Sequence, residues 1–74
     1  MQLYEYNGYI IYPTPRLVVE YGYWKVELTI RCGRTIKKYS SDNTFFTKGE
    51  AVFNCIRYGK ELIDDGIVML KEAV

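Results

Sequence analysis

The sequence predicts an α+β domain, an antiparallel β meander of about four to five strands with one main helix packed on one face and a short C-terminal tail. Three observations carry that prediction. Asn7-Gly8 sits between two runs rich in β-branched and aromatic residues, residues 23–32 alternate apolar and polar, and Thr47…Glu50 opens an apolar-periodic run that stops at Gly66.

The first element is a hairpin. Asn-Gly supplies the positive φ angles of a type I′ turn, so a two-residue loop sets Tyr6 opposite Tyr9 and Tyr4 opposite Ile11 on one face. Glu5 with Ile10 and Leu3 with Tyr12 share the other face, and the Glu5 side is the better candidate for solvent. Pro13 and Pro15 cannot donate ladder hydrogen bonds, so they end this strand or mark an edge before RLVVEY resumes an extended run and Gly22 permits a turn.

YWKVELTIRC gives the clearest strand. Trp24, Val26, Leu28, Ile30 and Cys32 share the core face, and Tyr23, Lys25, Glu27, Thr29 and Arg31 the other. The turn after Cys32 leaves two registers open. A two-residue loop aligns Lys37 with Ile30, whereas a three-residue loop aligns Ile36 with Cys32 and is preferred. Either way Lys37 and Lys38 lie on opposite faces, as expected of an edge strand guarded against further pairing.

Thr47 and Glu50 have the spacing of a capping box, with Phe46 placed to staple onto Ala51, so the helix begins at Lys48. Val52, Cys55, Ile56, Gly59, Leu62 and Ile63 form the apolar side, against Glu50, Asn54, Arg57, Lys60 and Glu61. A glycine inside a helix costs about 1 kcal/mol relative to alanine. Gly59 on the apolar side therefore marks close approach to a bulky sheet residue, for which Trp24 is the candidate. Gly66 ends the helix as a C′ residue, and IVMLKEAV suits a short second helix about as well as a strand, a strand-like or irregular segment from Ile67 packing through Val68 and Leu70 being preferred.

These elements resemble a family of short bacterial single-domain proteins of unknown function, in which a β meander with a Trp strand precedes a helix ending in a Gly-Lys, Ile-Asp-Gly signature. Here the signature stands as Gly59-Lys60 and Ile63-Asp64-Asp65-Gly66, with one extra Asp and a longer tail. The resemblance implies this fold and no specific activity.

The chain has 74 residues, room for one domain spanning 1–74 and little surplus apolar surface for a deep active site. Ten Lys and Arg against nine Asp and Glu leave a net charge of +1, so any basic patch is local. The two cysteines, Cys32 and Cys55, fall in different elements, no histidine accompanies them, and no signal-peptide pattern opens the chain. A cytoplasmic protein with reduced thiols and neither metal nor cofactor is expected, and the apolar runs are too short to span a bilayer.

Catalytic readings give way to simpler ones. Asp64-Asp65 beside a C-terminal Gly reads as a solvated turn rather than an acid-base pair. Cys55 on the apolar helix face lacks the histidine partner and electropositive setting that make a thiolate. Gly beside Arg34 or Lys60 lacks the spacing of a phosphate loop. No catalytic residue is expected.

Two binding candidates remain. Tyr4, Tyr6, Tyr9, Tyr12, Tyr21 and Tyr23 form a tyrosine-rich set that suits either an interface with a protein partner, or with a second copy, or plain core packing. Lys25, Arg31, Arg34, Lys37 and Lys38, with Tyr23 and Tyr39 interleaved, form a basic hairpin that could hold single-stranded nucleic acid by stacking and phosphate contact. A solvated face with edge-guarding lysines explains the same residues, and no RNP-type motif is present. The expectation is a non-enzymatic binding or regulatory module acting through the tyrosine-rich sheet surface, with nucleic-acid binding as the alternative.

Overall fold

The computed structural model describes residues 3–68. Five strands form one antiparallel sheet: β1 (Tyr4–Tyr6), β2 (Tyr9–Pro13), β3 (Arg16–Val18), β4 (Tyr23–Cys32) and β5 (Thr35–Phe45), followed by the helix α1 (Lys48–Asp64). β4 is the central strand. β2 and β3 lie end to end along one of its edges, β5 runs along the other, and β1 closes the far side of β2.

The hairpin forms in the expected register, with Tyr6 opposite Tyr9 and Tyr4 opposite Ile11. Asn7 and Gly8 take φ of 50° and 84°, which a type I′ turn needs at both central positions. Tyr9 and Ile11 face the core, and Glu5 lies exposed on the opposite side.

The segment Pro13-Thr14-Pro15 bridges β2 and β3 without breaking the ladder to β4. The Thr14 N–H donates to the Glu27 carbonyl at 2.9 Å. By the alternation of an antiparallel ladder, the flanking prolines then stand where N–H groups would point away from β4, toward the open edge. The missing donors fall where they cost no internal bond, and they deny that edge to an added strand. Of the RLVVEY run, Arg16–Val18 is strand, and the chain then turns, with the Val18 carbonyl accepting from the N–H groups of Tyr21 and Gly22.

The register of the second hairpin corrects the sequence expectation. Cys32 pairs with Thr35, Arg31 with Ile36 and Ile30 with Lys37, so the loop has two residues, Gly33 and Arg34. Gly33 takes φ of 61°, the positive first position of a type II′ turn, whose twist suits the flanking strands. The Arg31 guanidinium adds a bond from Nε to the Gly33 carbonyl at 2.9 Å. Turn geometry thus outweighs the burial of Ile36, which is left exposed on the face away from the helix. β5 also continues beyond Ser40 to Phe45, bulging where Ser41, Asp42 and Asn43 oppose Val26 alone. As expected of a guarded edge, Lys37 and Lys38 lie on opposite faces of this strand.

Helix α1 starts where the cap predicts. The Glu50 N–H donates to the Thr47 hydroxyl oxygen at 3.2 Å, and that hydroxyl donates to the Glu50 carboxylate at 2.9 Å. The staple does not close: Ala51 is fully buried while Phe46 stays largely exposed. At the other end Gly66, with φ of 71°, donates to the Ile63 carbonyl, and Ile67 to that of Leu62, the paired bonds of a Schellman motif.

The core lies between α1 and the sheet: Ile11, Val26, Leu28 and Ile30 from below, Ala51, Cys55 and Leu62 from above, with Val68 closing one end. Gly59 sits at the closest approach. Its partners are Ile11 and Leu28 rather than Trp24, and a Cβ at position 59 would stand 2.9 Å from Ile11 Cδ1. The buried helix stripe is Ala51, Cys55, Gly59 and Leu62, so Val52, Ile56 and Ile63 fall on its flank, half exposed. Val68 packs as expected, whereas Leu70 lies outside the described residues.

Candidate functional site

Register places the strand-borne candidate residues on one of two faces. Tyr4, Tyr6 and Tyr9 project from the hairpin toward the helix side, whereas Tyr12 and Tyr23 project from the bare side. Tyr21, in the β3–β4 turn, stacks on Tyr23 with ring centroids 5.7 Å apart and planes 8° from parallel. The six tyrosines therefore do not share one surface.

The helix-side tyrosines are engaged internally. Tyr9 is buried. The Tyr6 hydroxyl donates to both Asp64 carboxylate oxygens, at 2.9 and 3.0 Å, and this bond raises the phenol pKa above its ordinary value. The Lys60 ammonium lies 4.5 Å from the Tyr4 ring centroid and 5.5 Å from that of Tyr6, both within cation–π range. Asp64 is thus a hairpin-to-helix fastener, and Lys60 lies over the hairpin rather than on the solvent side of α1.

The bare face carries most of the predicted basic set. Lys25, Arg31 and Lys38 lie on it, Arg34 sits in the turn, and Lys37 points to the helix side across from Ile30. Arg16 joins the face opposite Lys25, a cation that the hairpin-centred reading of the sequence leaves out. Glu27 lies at the centre. Its carboxylate accepts from Arg16 Nε at 2.8 Å and stands 3.9 Å from Lys38 Nζ. One acid thereby draws two of the cations away from an incoming anion.

A second surface, on the helix side, is apolar. A groove of about 720 Å³ runs between the proline segment and α1, lined by Pro13, Pro15, Lys48, Gly49, Val52, Phe53 and Ile56. The surrounding end of the molecule is apolar as well. Leu17 and Phe45 flank Trp24 across the sheet, Val19 and Tyr21 occupy the adjoining turn, and Phe46 follows Phe45. Lys48 Nζ stands 5.8 Å from the Trp24 ring, which puts the start of α1 at this same end. Leu17, Val19, Tyr21, Phe46 and Phe53 are all exposed.

Sequence reasoning passes over this surface. Phe53 is out of phase with the buried stripe, and an aromatic residue out of phase on a helix is the signal that points to it. Phe46 is masked by its plausible role as a staple.

The buried thiol is occupied. Cys55 is fully buried and its S–H donates to the Glu27 carbonyl at 3.2 Å; burial raises its pKa. Among the described residues no group of three His, Cys, Asp or Glu side chains could hold a metal ion, and no helix is long and apolar enough to cross a membrane. Compared with protein families, with curated protein sequences and with solved structures, the chain finds no match.

Proposed function

We propose that the chain is a non-enzymatic binding module that grips another polypeptide through apolar side chains seated in the groove between Pro15 and Phe53. The observation that carries this reading is the apolar groove lined by Pro13, Pro15, Val52, Phe53 and Ile56, with the exposed Leu17, Val19 and Phe46 at the same end of the molecule. Monomeric proteins rarely leave contiguous apolar patches of more than a few hundred Å² exposed. Of the tyrosine-rich set, Tyr21 stacks on Tyr23 of the bare face and lines no part of the groove, while Tyr4, Tyr6 and Tyr9 serve the fold.

The mode is side-chain anchoring, not strand addition. Pro13 and Pro15 remove the outward donors from the adjacent edge, so an incoming strand would find a broken ladder there. A non-catalytic role agrees with the occupied state of Cys55 and Asp64, the two groups that chemistry would call on first.

The reading is tested with N-acetylphenylalanine amide, a mimic of one aromatic anchor, added to isotopically labelled protein. Amide shifts at Gly49, Val52, Phe53 and Ile56, much weaker with the alanine analogue, are expected. Shifts scattered over the bare sheet face, or none, would remove the groove as the binding surface.

A further inference from the structure

We infer that the occupant of the groove is Phe46 of a second copy of this chain, in a twofold dimer closed at the apolar end; the inference rests on reading that end as a binding surface.

The chain carries both a plug and a socket. Phe46 is 82% exposed although its position before the N-cap would let it fold back onto α1. Its own staple partner, Ala51, is already fully buried. The socket is lined by Pro13, Pro15, Val52, Phe53 and Ile56. These are apolar surfaces of the kind that receive an aromatic anchor.

Plug and socket lie at the same end of one molecule. Phe46 stands two residues before Lys48, which lines the groove. A twofold axis near the start of α1 therefore brings each plug to the other copy's socket and satisfies both at once. A head-to-tail arrangement would leave one plug and one socket open and propagate instead.

Phe46 and Phe53 are 82% and 66% exposed, and with large aromatic side chains burying 150–250 Å² each they offer roughly 300 Å² between them. That is more than a third of the ~800 Å² per partner that a stable interface buries, and Leu17, Val19 and the groove walls add to it. With a net charge of +1, two copies repel only weakly.

The experiment is sedimentation velocity of the full chain from micromolar to millimolar concentration, with Phe46→Glu, Phe53→Lys and their equimolar mixture. Both substitutions replace exposed side chains, and circular dichroism checks that each variant keeps its fold. The wild type is expected to pass from monomer to dimer and stop there. Phe46→Glu should weaken association by roughly thirtyfold or more, as loss of a central aromatic anchor does. Phe53→Lys should also weaken it. The mixture should recover a heterodimer, since Phe46 from the second variant meets an intact socket and Glu at 46 faces Lys at 53.

A wild type that is monomeric throughout, a dimer indifferent to Phe46→Glu, or growth into open polymers would each overturn the inference. A monomer that still shows the groove shifts with N-acetylphenylalanine amide defeats the second copy alone and leaves another polypeptide as the occupant. A monomer without those shifts defeats the groove reading too.

Discussion

Gly59 and Ile11 meet so closely that a Cβ on the glycine would stand 2.9 Å from Ile11 Cδ1 and 3.0 Å from Cγ2, with Leu28 Cδ1 at 3.1 Å. The glycine sets how near the helix lies to the sheet. Ile11 and Leu28 are fully buried, so neither can swing into solvent to make room.

Gly59→Ala should therefore destabilise the protein even though alanine is the better helix former. The gain in helix propensity is about 1 kcal/mol, against about 1–3 kcal/mol for forcing a methyl into a packed core. A net loss of about 1 kcal/mol is expected in the denaturation midpoint. Ile11→Val removes Cδ1, so in the double variant the penalty for the alanine should shrink. A stabilised Gly59→Ala would mean that the core yields more readily than these distances indicate.

The cap at Thr47 gives a second stability prediction. Its hydroxyl oxygen accepts from the Glu50 N–H at 3.2 Å, and removing a Thr cap costs about 1 kcal/mol. Thr47→Ala should lower the urea midpoint without changing the slope. Because the hydroxyl also donates to the Glu50 carboxylate, Glu50→Ala should cost less than Thr47→Ala, since it leaves the backbone bond in place.

The parts of this fold legible in the sequence are those fixed by local chemistry. Asn7-Gly8 dictates its turn, the alternation of β4 dictates its core face, and Thr47 and Gly66 bound the helix. What escapes is decided by competition between distant or unequal terms. Ile36 favours a register that buries it, but the geometry at Gly33 wins. Gly59 announces close approach without naming its partner, because β2 is brought under the helix only by pairing with β4. The apolar end is assembled from the β3–β4 turn, the β5–α1 junction and the helix flank, which no single periodicity links.

Cys55 should be inert in the native state. Burial raises its thiol pKa and its S–H is held by the Glu27 carbonyl, so little thiolate forms and a reagent cannot reach it. Cys32, half-buried at the end of β4, should react first. Labelling of Cys32→Ser, which isolates Cys55, should proceed only as fast as the protein opens and accelerate in denaturant. Native-state labelling of Cys55 as fast as that of Cys32 would reopen a catalytic reading.

The bond from Tyr6 to Asp64 predicts an alkaline loss of stability. Hydrogen bonding to the carboxylate favours the neutral phenol, so the folded-state pKa lies above the ordinary 10.0. A group whose pKa is raised by folding contributes fully below its unfolded pKa, and the contribution is lost as pH rises through the folded value. The wild type should thus exceed Tyr6→Phe in stability at neutral pH, and the gap should narrow above pH 10.0. A gap that is constant across that range would show that the bond does not persist in solution.

The bare sheet face provides the test between a polypeptide and a nucleic acid as partner. Arg16, Lys25, Arg31 and Lys38 share that face with Tyr12 and Tyr23, an arrangement that suits stacked bases and phosphates. Against it, Glu27 pairs with Arg16 at 2.8 Å and approaches Lys38 at 3.9 Å, while Lys37 points to the other side. Each phosphate neutralised releases counterions, so a true complex would weaken steeply with salt and weaken further in Arg31→Ala, Arg34→Ala and Lys38→Ala. Too few cations remain free for that. Labelled single-stranded oligonucleotides of random sequence, titrated at low and physiological salt, are expected to show no complex at the higher concentration. Glu27→Gln should then strengthen whatever low-salt binding exists, because it frees Arg16 and Lys38. A micromolar complex at physiological salt, weakened by substitutions on the bare face and unaffected by Phe53→Lys, would move the function from the groove to the sheet.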